Sequence, residues 1–175
     1  MKNIVLIGMS GVGKSEKGKY IATSLGWNFI DTDELIVDRE KISIDDIFSR
    51  YGEEYFRNIE MKIIEEVSKL SNTVIATGGG IVTRNKNIIY LSKNGYIFLF
   101  LGKIQTIVNN INQSNVVRPL LKDNYDLYNS VEKLFKSREE LYLSSSDIII
   151  DVEDKSMEEV KNEVLESYEK LKKLG

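Results

Sequence analysis

Histidine and cysteine are both missing from this 175-residue chain. The first absence removes every scheme that needs an imidazole as base, nucleophile or metal ligand. The second removes disulfides, thiol catalysis and cysteine-ligated zinc. Chemistry is left to carboxylates, lysine, arginine, hydroxyls, backbone groups and any metal they hold. Long apolar runs are also missing: the longest, Tyr96 to Leu101, falls far short of the roughly 20 residues a spanning helix needs. Met1-Lys2-Asn3 and the four apolar residues after it make too short a segment for a signal peptide and lack a small-residue cleavage site. A cytoplasmic location is therefore expected, with no membrane partner. Nor is there an excess of positive charge. A net charge of −3 gives no basic field of the kind that nucleic acids and anionic membranes attract. What remains is 42% hydrophobic and 29% charged, ordinary for a globular protein, and the length suits one domain over residues 1–175.

The most informative stretch comes first. Ile4-Val5-Leu6-Ile7 has the length and character of a buried strand, and Gly8-Met9-Ser10-Gly11-Val12-Gly13-Lys14-Ser15 follows at once. This is G-x-x-x-x-G-K-S, the phosphate-binding loop between a strand and a helix. Its glycines let backbone N–H groups close around phosphate oxygens, and the positive end of the following helix faces them. Lys14 is placed to reach the β- and γ-phosphates, and the Ser15 hydroxyl to bind Mg²⁺. A nucleoside triphosphate is the implied ligand. Phosphoryl transfer also suits a chain without histidine, because it depends on positioning and charge neutralisation.

Along the chain, strands alternate with helices. Helix is expected over Lys17 to Leu25, with Gly26 as its cap, from Glu34 onward, from Gly52 to Leu70, near Asn85 to Lys93, over Lys103 to Ile111, over Asp126 to Leu143 and at the C-terminus. Strands are expected at Asn28–Asp31, Thr73–Thr77, Tyr96–Leu101 and Ile148–Ile150 besides the first. Asn112 to Asn124 is polar and irregular, and it contains the only proline, Pro119. Such alternation specifies an α/β fold with a parallel sheet covered on both faces. Ligand sites in such sheets lie beyond the carboxyl ends of the strands, which groups Ser10–Ser15, Asp31–Asp33 and Gly78–Gly80 around one crevice.

Several residues there are candidates for chemistry. Asp31 and Asp33 stand at a strand end beside the phosphate loop, suited to a metal's water shell and to an acceptor hydroxyl; Asp33 alone has a second reading, as cap of the helix starting at Glu34. The strand Val74-Ile75-Ala76 lacks a terminal acid, which favours Asp31 as the metal's carboxylate. Arg57 has Glu53 and Glu60 at helical spacing, so an exposed ion pair worth about 0.3–0.5 kcal/mol is one reading of it. Arg138 shares the apolar face of its helix with Val131, Leu134 and Tyr142, where a cation needs an anionic partner. Arg118 precedes Pro119 in a stiffened loop and is placed to stabilise a transferring phosphoryl group. Gly78-Gly79-Gly80 reads either as a ligand-contacting loop or as a sharp strand exit.

Taken together, Gly8–Ser15, Asp31-Thr32-Asp33, Ile47-Phe48 with Gly52-Glu53, Phe56-Arg57-x-x-Glu60, Ala76–Gly80, Arg118-Pro119-Leu120-Leu121 and Arg138-x-x-x-Tyr142 resemble the shikimate kinases. The resemblance implies a three-layer α/β/α sandwich with strand order 2-3-1-4-5 and a mobile lid over about 112–124. It implies transfer of a phosphoryl group from ATP to shikimate, with Mg²⁺, on the route to chorismate and the aromatic amino acids, by a monomer. Gly11, Val12, Gly13, Lys14, Ser15, Glu16 and Arg118 would contact ATP. Ser15 and Asp31 would serve the metal. Asp33 and Arg57, within an acceptor region over about 33–62, would bind shikimate together with Gly78, Gly79, Gly80 and Arg138, and Lys14, Asp33 and Arg118 would act in catalysis.

Two departures from the family pattern stand out. Glu16 replaces the usual threonine after Ser15, and no Lys or Arg lies between Lys103 and Arg118, where members usually carry a cation that stacks on adenine. Lys155, after the fifth strand, is a candidate to contact the nucleotide in its place. The alternatives are a kinase of the same fold for another small hydroxy acid, such as gluconate, or for a nucleotide. A GTP-dependent switch would want N-K-x-D, and Asn85-Lys86-Asn87-Ile88 lacks the aspartate.

Overall fold

A computed structural model of the chain describes residues 1–114, 118–121 and 126–174. Its framework is a parallel sheet of β1 (Asn3–Ile7), β2 (Asn28–Asp31), β3 (Thr73–Ala76), β4 (Gly95–Leu101) and β5 (Ile148–Asp151), in the order β2-β3-β1-β4-β5. The central strand β1 pairs with β3 through Val5 and Ile75 and with β4 through Val5 and Ile97. Every residue of β1 and β3 is buried. A strand covered on both faces has no use for polar alternation, which is why β1 and β4 read as unbroken apolar runs. The edge strand β5 leaves Ile149 48% exposed.

Seven helices are described: α1 (Lys14–Leu25), α2 (Thr32–Glu40), α3 (Ile44–Val67), α4 (Asn85–Lys93), α5 (Ile104–Gln113), α6 (Leu127–Ser145) and α7 (Met157–Leu174). α1 packs on β2 and β3, α7 on β4 and β5, and the two touch; α4 and α6 also meet β4, with α3 against α4 and α5 against α6. Among the described residues no helix is long and apolar enough to cross a membrane.

Helix starts differ from the apolar spacing where a cap decides them. α1 begins at Lys14 rather than Lys17, because Gly13, at φ 92°, turns the loop straight into the helix. α2 begins at Thr32, and its cap is Asp31, whose Oδ1 accepts from the N–H groups of Asp33 and Glu34 at 2.9 and 3.2 Å. Asp33 is therefore not the cap, and its carboxyl is left for other use. α3 begins well before Gly52, at a turn capped by Ser43, and breaks at Gly52, whose φ of 81° and ψ of 170° interrupt the helix. α5 continues to Gln113, into the stretch expected to be irregular. Of the lid expected over about 112–124, residues 115–117 and 122–124 lie outside the described residues; Arg118 and the 3₁₀ turn Pro119–Leu121 lie within them.

Candidate active site

Loops leaving the carboxyl ends of β1, β2 and β3 line one cavity of about 980 Å³. Gly11, Gly13, Lys14, Ser15, Glu16, Asp31, Asp33, Arg57, Gly78, Gly79, Gly80, Arg118 and Arg138 all border it. These residues, up to 127 positions apart in sequence, thus share one space. Val12 is buried beneath the loop and borders a second cavity, of about 350 Å³, together with Lys155.

Lys14 is 6% exposed, and its ammonium donates to the carbonyls of Gly8 and Met9 at 2.7 and 2.8 Å. Burial pushes its pKa down to about 8; Asp33 and Asp31 pull it back up, and Arg118 adds to the fall. A buried cation hydrogen-bonded only to carbonyls gains strongly from an incoming anion. Next to it the Ser15 hydroxyl donates to Oδ2 of Asp31, the oxygen not used in capping α2. This pair offers hard oxygen donors at the helix N-terminus. It fits a divalent cation that takes one or two protein oxygens and completes its shell from phosphates and water. Among the described residues there is no denser cluster of acidic metal ligands.

Asp33 faces Lys14 electrostatically across the cavity. Its Oδ1 is shielded from solvent and has no hydrogen-bond partner. Burial pushes its carboxyl up to about 7, the charges of Asp31 and Glu60 add to the rise, and Lys14 and Arg57 oppose it. A carboxyl that titrates there can hold or accept a proton near neutrality. Arg118 donates to Ser114 Oγ at 3.0 Å, and its positive charge acts on both Asp33 and Lys14.

Arg57 is not an exposed ion pair. It is buried, and its Nη1 donates to both oxygens of the fully buried Glu60 at 3.0 Å, while Nη2 and Nε reach Glu53 at 3.2 and 3.3 Å. From residues alone, Glu60 stands out only for its spacing to Arg57 and its place in the pattern Phe56-Arg57-x-x-Glu60. The signal was present: it lies four after Phe56 and three before Ile63, on the face that packs inward. Arg138 is also buried, donating from Nη1 to the Gly79 carbonyl at 3.2 Å, and the Tyr142 hydroxyl donates to the same oxygen.

The glycine triplet now has a physical reason. A Cβ on Gly78 would lie 2.6 Å from Asp33 Oδ1, one on Gly79 2.9 Å from the backbone N and Oγ of Ser10, and one on Gly80 2.2 Å from Arg57 Nη2. Each glycine lets a different part of the site approach the backbone.

A family model described as Shikimate kinase matches residues 10–169. The chain belongs to the shikimate kinase family. A shikimate kinase of Caldanaerobacter subterraneus subsp. tengcongensis is 45% identical over 172 residues, 98% of this chain and 99% of the relative. The solved structure of a shikimate kinase from Acinetobacter baumannii in complex with shikimate superposes with a TM-score of 0.91 at 26% identity, covering 98% of this chain and 95% of that one. A gluconokinase from Sinorhizobium meliloti, at 16% identity and a TM-score of 0.57 over 97% of this chain and 93% of its own, shares the fold alone.

For a member of this family the two departures have distinct structural settings. Glu16 is exposed in the first turn of α1 at the cavity's edge. In the region that lacks a cation, Asn110 donates its amide to the Gly11 carbonyl at 2.8 Å, and Ile111 packs on Gly11. Lys155 pairs with Glu163 at 2.5 Å beside the second cavity.

Proposed function

We propose that this chain transfers the γ-phosphoryl group of ATP to the 3-hydroxyl of shikimate, giving shikimate 3-phosphate and ADP. One observation carries the reading: a carboxyl raised to about 7, with an unpartnered oxygen, within electrostatic reach of the Lys14 ammonium and the buried Arg57, in a cavity that the buried Arg138 also borders. In this reading Arg138 takes the shikimate carboxylate, since among the described residues its guanidinium is hydrogen-bonded only to a carbonyl and a neighbouring phenol. Arg57, held rigid by Glu60, and the backbone of Gly78, Gly79 and Gly80 fix the ring and its hydroxyls. Asp33 accepts the proton of the 3-hydroxyl as that oxygen attacks the γ-phosphorus. The bond from phosphorus to the β–γ bridging oxygen breaks, and ADP leaves. Lys14 and Arg118 neutralise the charge that develops.

Backbone groups of Gly11, Val12, Gly13 and the first turn of α1 cradle the ATP phosphates. Mg²⁺ bound through Ser15, with Asp31 on its water shell, would supply further neutralisation of the β- and γ-oxygens. The whole chain acts as one kinase domain, with an acceptor region over about 33–62 and a lid over about 112–124, as a cytoplasmic monomer. The gluconate alternative draws support only from a shared fold, and the family matched is shikimate kinase, not a GTP switch.

A coupled assay for ADP release, run with shikimate, gluconate and nucleoside monophosphates in parallel, tests the reading. Turnover with shikimate at least a hundredfold more efficient than with the others is expected. Comparable efficiency with gluconate or a nucleotide would overturn it.

A further inference from the structure

Among the described residues, only Lys17 and Asn110 border both the main cavity and the second cavity beside it. Asn110 is accounted for by its hydrogen bond to the phosphate loop. Lys17 is not: among the described residues its ammonium makes no hydrogen bond and no ion pair. It is half-buried, one helical turn beyond Lys14, and its Nζ lies over the loop, 2.7 Å from where a Cβ on Gly13 would stand. A lysine free to extend into water would have no reason to lie there, against backbone whose N–H groups are arranged for an anion.

We propose that Lys17 binds the nucleotide's phosphate chain where it leaves the loop toward the second cavity. It is then a second phosphate cation besides Lys14, and one that Glu16 makes necessary. The inference rests on the reading of Gly8–Ser15 as the nucleotide's phosphate site. The charge balance supports it. Without Lys17, the Lys14 ammonium and the Glu16 carboxylate in the first turn of α1 sum to zero opposite a strongly anionic ligand. With Lys17 the turn keeps one net positive charge. Because this contact is made to the phosphates of ADP as well as ATP, it acts on binding more than on the chemical step.

The test is calorimetry of ADP binding to the full chain, comparing the parent with Lys17→Met, Lys17→Arg and Lys14→Met. Lys17→Met should weaken ADP roughly tenfold, the Coulomb effect of one charge at about 6 Å and an effective dielectric near 40. The difference should shrink at about 0.5 M salt, and Lys17→Arg should recover most of the affinity. In turnover, the ATP KM of Lys17→Met should rise by a similar factor while kcat falls far less. Unchanged ADP affinity in Lys17→Met would overturn the proposal; if Lys14→Met still weakened ADP, the phosphate-loop reading would stand without it. Failure of both variants to weaken ADP would overturn both.

Discussion

Replacing Asp33 by asparagine should stabilise the protein, and only in one pH range. The carboxyl's titration moves from its ordinary 3.8 up to about 7 on folding. Between those values the folded chain holds a proton that the unfolded chain has released. The unfolded state then binds fewer protons, so stability falls as pH rises through this window and levels off above it. At about 1.36 kcal/mol per pH unit, the full loss is about 4 kcal/mol. Asparagine has nearly the same shape and no charge to bury. Parent and Asp33→Asn should therefore differ by no more than about 1 kcal/mol near pH 4.5, and the variant should be about 2–4 kcal/mol more stable near pH 7.5. Urea unfolding at both values measures it, kept below the range where the Lys14 proton, lowered to about 8, begins to contribute with the opposite slope. The same variant should lose nearly all turnover, and in the parent kcat/KM for shikimate should rise with pH through about 7. An Asp33→Asn stability difference that is the same at both pH values would refute the argument, because it would mean that the carboxyl does not titrate differently in the fold.

Four further expectations follow from the same geometry. Gly80→Ala places a methyl on the Arg57 guanidinium and should cost about 3 kcal/mol of stability or more, by parting it from Glu60, along with most of the shikimate affinity; chemical unfolding and acceptor titration measure these. Lys14→Ala should leave the circular dichroism spectrum unchanged and remove at least about 3 kcal/mol of transition-state stabilisation, over a hundredfold in kcat/KM. Arg138→Ala should weaken shikimate by about 2 kcal/mol, near thirtyfold, with little change in ATP affinity by calorimetry. Because no Lys or Arg lies between Lys103 and Arg118 to stack on a base, GTP should serve as donor within about thirtyfold of ATP, and Asn110→Arg should widen the gap; parallel donor kinetics decide it.

Much of this was legible from residues alone. The sheet was readable because central parallel strands must be apolar on both faces, and the phosphate loop because its spacing is itself the mechanism. The shortfalls share one cause. Helical spacing tells which residues share a face but not what that face meets. Arg57 with Glu53 and Glu60 looked like a solvated triplet, yet Glu60 lies on the inward face and carries Arg57 into the interior. Asp31 and Asp33 are two residues apart, and which of them caps α2 depends on where the chain leaves the extended conformation. Asp31, at φ −99° and ψ 120°, keeps the strand geometry a cap needs, whereas Asp33 is already in the helix. Lys17 reads as an ordinary helix-surface residue until the loop beside it is in place.

The glycine triplet shows most clearly what local sequence cannot encode. Three glycines after a strand satisfy any sharp exit, and nothing near them says otherwise. In the folded chain Gly78 abuts Asp33 from α2, Gly79 abuts Ser10 from the phosphate loop, and Gly80 abuts Arg57 from α3. The carbonyl of Gly79 meanwhile receives Arg138 and Tyr142 from α6. One three-residue segment thus sets the spacing between the Asp33 carboxyl, the phosphate loop and both arginines. Each approach is closer than a Cβ allows, so the requirement for glycine comes from contacts with residues 23 to 69 positions away. The flexibility that makes these residues poor formers of helix and strand is not what the site uses. It uses their lack of a side chain, which lets a rigid backbone serve as the surface against which four other elements are gauged.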